Sequence, residues 1–229
     1  MNPIRQSADP AADPNAWGRF DTRDGRTLYV AQPQRCAFQV LLAPLRRRLG
    51  TVDSLAKDAQ FLGLDADDLA QIVEGEWAER GHMRPGHLPA GWRFERLLYE
   101  FQNPPAGWWI DVEHVDTITA MSDALDGPLV ALGVATVDRS LLLGPDRQVT
   151  VAIASWARQL RLDDGSRPLG ITWQSKHGAG RCWAYWMRLV DAGSDAAAEP
   201  LTLVGKGRSI AHGDTALSTA AKAFGITVW

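Results

Sequence analysis

The chain of 229 residues has a formal net charge of −3 and a pI of about 5.9, with 45% hydrophobic and 22% charged residues. These values suit a chain with a real core and argue against non-specific nucleic-acid binding, since no basic helix or zinc module offsets the negative charge. Two cysteines, Cys36 and Cys182, lie far apart without metal-ligand spacing, so no disulfide framework is expected, which fits a reducing cytoplasm.

The opening stretch "MNPIRQSADPAADPN" lacks the apolar core of a signal peptide, and no run is long enough to cross a membrane, so a soluble cytoplasmic protein is expected. Residues 1–16 read as an irregular lead-in and 17–229 as one domain. "TLYVA", Thr27 to Ala31, is β-branched and aromatic and predicts a short strand. Pro33 suits the first turn of a helix expected over Gln34 to Arg47, with Pro44 ending or kinking it and the arginines favourable in its last turn. Two short helices follow, separated at Gly63-Leu64-Asp65, the second presenting Leu69, Ile72, Val73 and Trp77 on one face.

"GHMRPGHLPAGW" reads as a loop; its His82 and His87 have no further ligands at metal spacing, so no metal is expected. "FERLLYEFQ" and "GWWIDV" predict strands bracketing the turn "NPPAG", as a hairpin or as two separate short strands. Asp111 to Leu125 reads as a helix with Val115, Ile118, Met121 and Leu125 aligned. A second helix begins at Asp146, an N-cap, and carries Val149, Ile153, Trp156 and Leu160 on its apolar face. "LGITWQS" alternates like a half-buried strand, "RCWAYWMRLV" is a nearly continuous apolar strand, and "DAGSDAAAEP" is a loop. A strand at "PLTLV" and a helix from Asp214 to Phe224 close the pattern. "GPLVALGVA" and "GKGRS" lack phosphate-cradle spacing and read as turns. Helices interleave with antiparallel or mixed strands, which predicts an α+β fold.

Ten tryptophans mark packed cores, stacking sites or interfaces, with the pair Trp108-Trp109 a candidate for the last. Three segments carry chemistry. "WGRFD" sets Arg19 among aromatic groups, where a planar guanidinium holds a phosphate or carboxylate. "TLYVA" puts Tyr29 just before a helix start, where a ring can stack on a base or a nicotinamide. "GITWQSKHGAGRCWAYW" places the Ser175 hydroxyl at a strand end.

Together with "LPAGWRFERLL", "GWWIDVEHVDTITAMSDAL", "LGPDRQVTVAIASWARQ" and "TALSTAAKAFGITVW", these segments resemble, in order, the RES domain, a bacterial family named for Arg, Glu and Ser positions. The resemblance implies a single compact α+β domain related to ADP-ribosyltransferases, with a mixed, largely antiparallel sheet and flanking helices. It also implies a cleft for NAD and no metal. Family toxins destroy NAD by hydrolysis or phosphorolysis and pair with an antitoxin protein; nothing in the pattern speaks for nucleic acid or membrane, and a homo-oligomer stays open. Arg19, Tyr29 and Ser175 match the family's motifs as catalytic and NAD-binding residues, and Arg5 matches a further N-terminal Arg in the binding set.

Cleavage of the nicotinamide–ribose bond passes through an oxocarbenium-like state, which a carboxylate stabilises. The position of the family's Glu falls at Val40, or at Gln39 with a one-residue slip. Neither is an acid. Three expectations follow: an NAD-binding relative without turnover, a substitute acid from among Glu100, Asp111 and Glu113, or a protein-interaction module on the same fold.

Overall fold

The structure, a computed structural model, describes residues 17–46, 51–79, 86–88 and 90–228. Arg5, the rest of the lead-in 1–16 and His82 lie outside the described residues. In chain order the elements are β1 (Thr27–Gln32), α1 (Gln34–Leu42), α2 (Thr51–Leu62), α3 (Ala66–Glu79), β2 (His87–Leu88), α4 (Ala90–Phe94), β3 (Leu97–Gln102) and β4 (Trp109–Asp111). There follow α5 (Val115–Ala131), α6 (Arg139–Leu143), α7 (Arg147–Gln159), β5 (Gly170–Gln174), β6 (Arg181–Trp186), α8 (Arg188–Asp191), β7 (Thr202–Ser209), α9 (Thr215–Ala223) and β8 (Thr227–Val228). Open sheets interleaved with helices make this an α+β architecture. The described residues form two compact units, one from 17–36 and 99–206, the other from 37–98 and 207–228.

The first unit is built on a four-stranded sheet of order β1-β6-β5-β4. β6 runs antiparallel to both β1 and β5, with Ala31 opposite Cys182, while β4 joins β5 in parallel with Asp111 opposite Thr172. Side chains alternate across β6 with the strand period of two. Cys182, Ala184 and Trp186 join Ile171 and Trp173 against Met121, Leu125 and Leu129 of α5 and Val149 and Ile153 of α7. Tyr185 and Met187 point the other way, into a cluster with Leu201, Leu28, Val30 and Leu169. Because both faces are covered, Gly170 to Trp173 are all buried, so the half-buried alternation expected of "LGITWQS" is replaced by continuous burial.

Caps and breakers account for most boundaries. Asp146 accepts from Gln148 N and Val149 N at the start of α7, Asp138 from Leu141 N at α6, and Asp214 from Leu217 N at α9, each satisfying an orphan amide. α5 begins after His114, whose Nδ1 accepts from Asp116 N, rather than at Asp111, which is committed to β4. It also runs on through Gly127-Pro128, so "GPLVALGVA" opens inside a helix and not in a turn. The helix bends at Leu125 (φ −114°, ψ 15°), where the Pro128 ring cannot accept the straight carbonyl geometry of the preceding turn. "GKGRS" likewise lies within β7.

In the second unit, Phe38 and Leu42 of α1 pack with Leu88, Ile210, Leu217, Ala220, Ala221, Phe224 and Ile226, and β2 pairs in parallel with β8. α1 stops at Leu42 and Pro44 sits in a 3-10 turn over Ala43–Leu45, so Arg46 follows the helix instead of closing it. α2 and α3 part at Gly63, whose φ of 68° is the left-handed conformation that glycine alone takes without strain. On α3, Leu69 is buried but Ile72 is exposed, narrowing the apolar face read from the sequence. His87 and Trp92 belong to short elements in what reads as a loop. "NPPAG" separates strands of two different sheets, so the alternative of two short strands holds over a hairpin.

Candidate functional site

"GRFD" folds as a tight turn. Gly18 N donates to Asp21 Oδ2 at 2.7 Å and Asp21 N donates back to Gly18 O at 3.3 Å. The turn wraps the phenol of Tyr29, whose hydroxyl donates to Asp21 Oδ1 at 2.7 Å and accepts from Phe20 N at 3.3 Å. Burial, then the adjacent Asp21 carboxylate, hold the Tyr29 hydroxyl well above its usual pKa, so it stays protonated and donating. Trp173 meets Phe20 and Tyr29 edge-on, with ring centroids 4.9 and 6.4 Å apart. Tyr29 as a residue is nonetheless 39% exposed, which leaves ring surface for a stacking partner while the hydroxyl is tied down. "GRF" and "LY" thus meet in space.

Gly18 is required here by close approach. A Cβ at this position would lie 2.4 Å from Tyr29 Oη and 2.7 Å from Cζ. Gly18→Ala is expected to push the phenol off Asp21 and destabilise the fold by about 1–3 kcal/mol, the usual cost of overpacking. A thermal melt checks this; a melting temperature within about 1 °C of wild type would contradict it.

Arg19 has a structural task. Its Nη1 donates to Leu142 O at 2.8 Å and to Gly144 O at 2.7 Å, closing the carbonyl end of α6 with a positive charge. Lys176 Nζ donates to Leu143 O at 3.0 Å and Arg147 Nη1 reaches Gly144 O at 3.5 Å. Burial first, then Arg147, lower the Arg19 pKa to about 10, leaving it charged at neutral pH. Burial, then Arg19 and Arg147, lower that of Lys176. Three cations therefore converge on one turn, and none has a carboxylate within ion-pairing distance among the described residues.

Ser175 follows the last residue of β5 and opens the turn to β6. Its N donates to Gly180 O at 2.9 Å, and its Oγ accepts from His177 N at 3.2 Å. The strand pairing sets Trp173, two residues before Ser175, opposite Cys182, which on its other side lies opposite Ala31 of β1. Arg19, Tyr29 and Ser175, separated by up to 156 positions, are brought to one region of the first unit, with Arg19 close to both Tyr29 and Cys182.

Of the three substitute acids, Glu113 is the one bound to the backbone one residue before Ser175. Its Oε2 accepts from the backbone N of Gln174, one residue before the serine, and its Oε1 pairs with Arg139 Nε. Asp111 is held by Arg181, whose two terminal nitrogens both donate to Oδ2 at 3.0 Å. Glu100 is exposed on β3. On α1, Gln39 is 6% exposed and Val40 is 40% exposed; both belong to the second unit. Asp21, the last residue of "WGRFD", is an acid of this region outside the candidate acids; Gly18, three positions before it, is the sequence signal for the turn that buries it. A cavity of about 90 Å³ elsewhere in this unit, lined in part by Arg158, Arg167 and Arg188, includes none of Arg19, Tyr29 and Ser175.

No family model, no curated protein and no solved structure matches the chain.

Proposed function

We propose that this protein is a cytoplasmic RES-type protein on a fold related to ADP-ribosyltransferases, and that its first unit binds NAD or ADP-ribose around Arg19, Tyr29 and Ser175. The observation that carries this reading is the convergence of those three residues, each from a different segment, beside a group of cations without carboxylate partners among the described residues. A dinucleotide supplies what such a group lacks. Its pyrophosphate is a doubly charged anion matched to guanidinium and ammonium donors, and its nicotinamide is a flat ring suited to the exposed part of Tyr29. The Ser175 hydroxyl would orient the nicotinamide amide.

The same arrangement favours binding over turnover. Cleavage of the nicotinamide–ribose bond develops positive charge at the ribose carbon, which a preorganised carboxylate stabilises. Val40 and Gln39 supply none. Glu113, bound to the backbone one residue before Ser175, is the residue on which an NAD glycohydrolase or phosphorylase activity would rest, and with it a role as the toxin of a toxin–antitoxin pair.

Calorimetry with NAD, followed by chromatography of the ligand recovered from the cell, separates the outcomes. Binding with NAD recovered intact is the expected result. Loss of NAD that disappears in Glu113→Gln would establish turnover through that acid. Absence of heat at protein and NAD concentrations of about 1 mM would exclude the NAD reading altogether.

A further inference from the structure

Cys36 lies in the first turn of α1 and Cys182 is the second residue of β6, 146 positions away, yet their sulfurs stand 3.9 Å apart. Both are buried, at 0% and 4% exposed. The approach is built in by Gly180, where a Cβ would come within 2.5 Å of Cys36 Cβ and 2.7 Å of its Sγ. A glycine at the β5–β6 turn thus lets the start of α1 seat its thiol against β6.

We propose that Cys36 and Cys182 form an oxidisable dithiol, converted by a peroxide to an intramolecular disulfide that ties the start of α1 to β6. The inference rests on the sulfur geometry and stands whether or not NAD binds. The two thiols are electronically unequal. Hydrogen bonding from Cys182, with a further contribution from the Ser175 hydroxyl, outweighs burial and lowers the Cys36 pKa, while the Cys182 thiol is pushed up by the same contact and by burial. Cys36 is therefore the thiolate and Cys182 the proton-bearing partner.

The reaction balances without any further reagent. The Cys36 thiolate attacks one oxygen of hydrogen peroxide, breaking the O–O bond and releasing hydroxide, to give Cys36 sulfenic acid. Cys182 sulfur then attacks the Cys36 sulfur, breaking the S–O bond; the sulfenic oxygen leaves as water, taking up the Cys182 proton. One thiolate, one thiol and one peroxide give one disulfide, one water and one hydroxide. Two electrons pass from sulfur to oxygen. Burial selects a small neutral oxidant, and the neighbouring thiol intercepts the sulfenic acid before a second peroxide can.

The test uses the whole chain with hydrogen peroxide, read by thiol titration, intact mass and non-reducing digestion. Expected is a fall from two free thiols to none, a mass lower by two hydrogens, and one peptide joining Cys36 to Cys182, all reversed by dithiothreitol. The oxidation rate should rise with pH as the Cys36 thiol ionises and level off below the pH at which an ordinary cysteine thiol does. In Cys182→Ser, Cys36 should stop at a sulfenic acid trapped by dimedone. Circular dichroism of the unoxidised variant confirms that it is folded. Two thiols surviving excess peroxide in the wild type, independent over-oxidation of each cysteine, or a disulfide only between chains would each overturn the proposal.

Discussion

Arg19→Met is expected to destabilise the fold by about 3 kcal/mol and to abolish NAD binding. The arginine donates two short hydrogen bonds, 2.8 and 2.7 Å, to the carbonyls of Leu142 and Gly144 at the end of α6. Bonds from a charged donor contribute about 1.5–3 kcal/mol each, and a carbonyl left unpaired in a half-buried turn loses more than the bond alone. Methionine keeps much of the apolar stem, so little of the loss comes from a cavity. Arg147, at 3.5 Å from Gly144 O, offsets part of one bond, which keeps the figure below the sum of two. Denaturant unfolding should show a lower midpoint at an unchanged slope. A stability change below about 0.5 kcal/mol would show that Arg19 does not clamp the turn. Arg19→Lys keeps the charge and a single nitrogen able to donate to both carbonyls, on a shorter stem, so it should restore part of the stability lost in Arg19→Met.

Glu199→Leu is expected to cost still more, about 4 kcal/mol, at a site remote from any ligand chemistry. Glu199 is buried, and its two oxygens are both used. Oε2 accepts from Tyr185 Oη at 2.6 Å, and Oε1 accepts from Leu189 N at 2.8 Å and Val190 N at 2.9 Å, the first amides of α8. Leucine fills the volume but leaves three donors without partners, each costing about 1–3 kcal/mol. Burial, then Glu199, hold the Tyr185 hydroxyl above its ordinary pKa, so the phenol remains a donor at any working pH. Tyr185→Phe removes one of these donors and should cost more in the wild type than in the Glu199→Leu background, where the phenol has already lost its partner. A double-mutant cycle on the two positions should give a coupling of about 1–2 kcal/mol. A coupling near zero would mean that the carboxylate is held by the α8 amides alone. Against a typical total stability of about 5–15 kcal/mol, this one substitution removes from about a quarter to most of it.

Much of the secondary structure was legible because it rests on local chemistry. The β-branched run at Thr27, the Asp146 and Asp214 caps, and the apolar stripe of Val149, Ile153, Trp156 and Leu160 each state their structure within a few residues. The errors share a cause. Gly127-Pro128 and Gly205 look like breakers, yet α5 and β7 continue through them, because packing of Leu125 and Leu129 and cross-strand pairing outweigh a local cost of a few kcal/mol. β5 was read as half-buried because alternation cannot report that a second layer, around Tyr185 and Met187, covers its other face.

The candidate site divides in the same way. Residue types alone pointed to Arg19, Tyr29 and Ser175, because a guanidinium, a ring and a hydroxyl at element ends are the groups an anion-bearing, ring-bearing ligand requires. The absence of an acid at Val40 and Gln39 was equally a fact of sequence. What those residues do was decided by tertiary structure. Only the folded chain turns Arg19 onto the carbonyls of α6, buries the Tyr29 hydroxyl against Asp21, binds Glu113 to the backbone one residue before Ser175, and brings Cys36 to 3.9 Å from Cys182. Propensity, capping and periodicity act over a few neighbouring residues and can be read along the chain. Hydrogen-bond partners, desolvation and sulfur–sulfur distance are set by groups from distant segments, and they exist only once the sheet has closed.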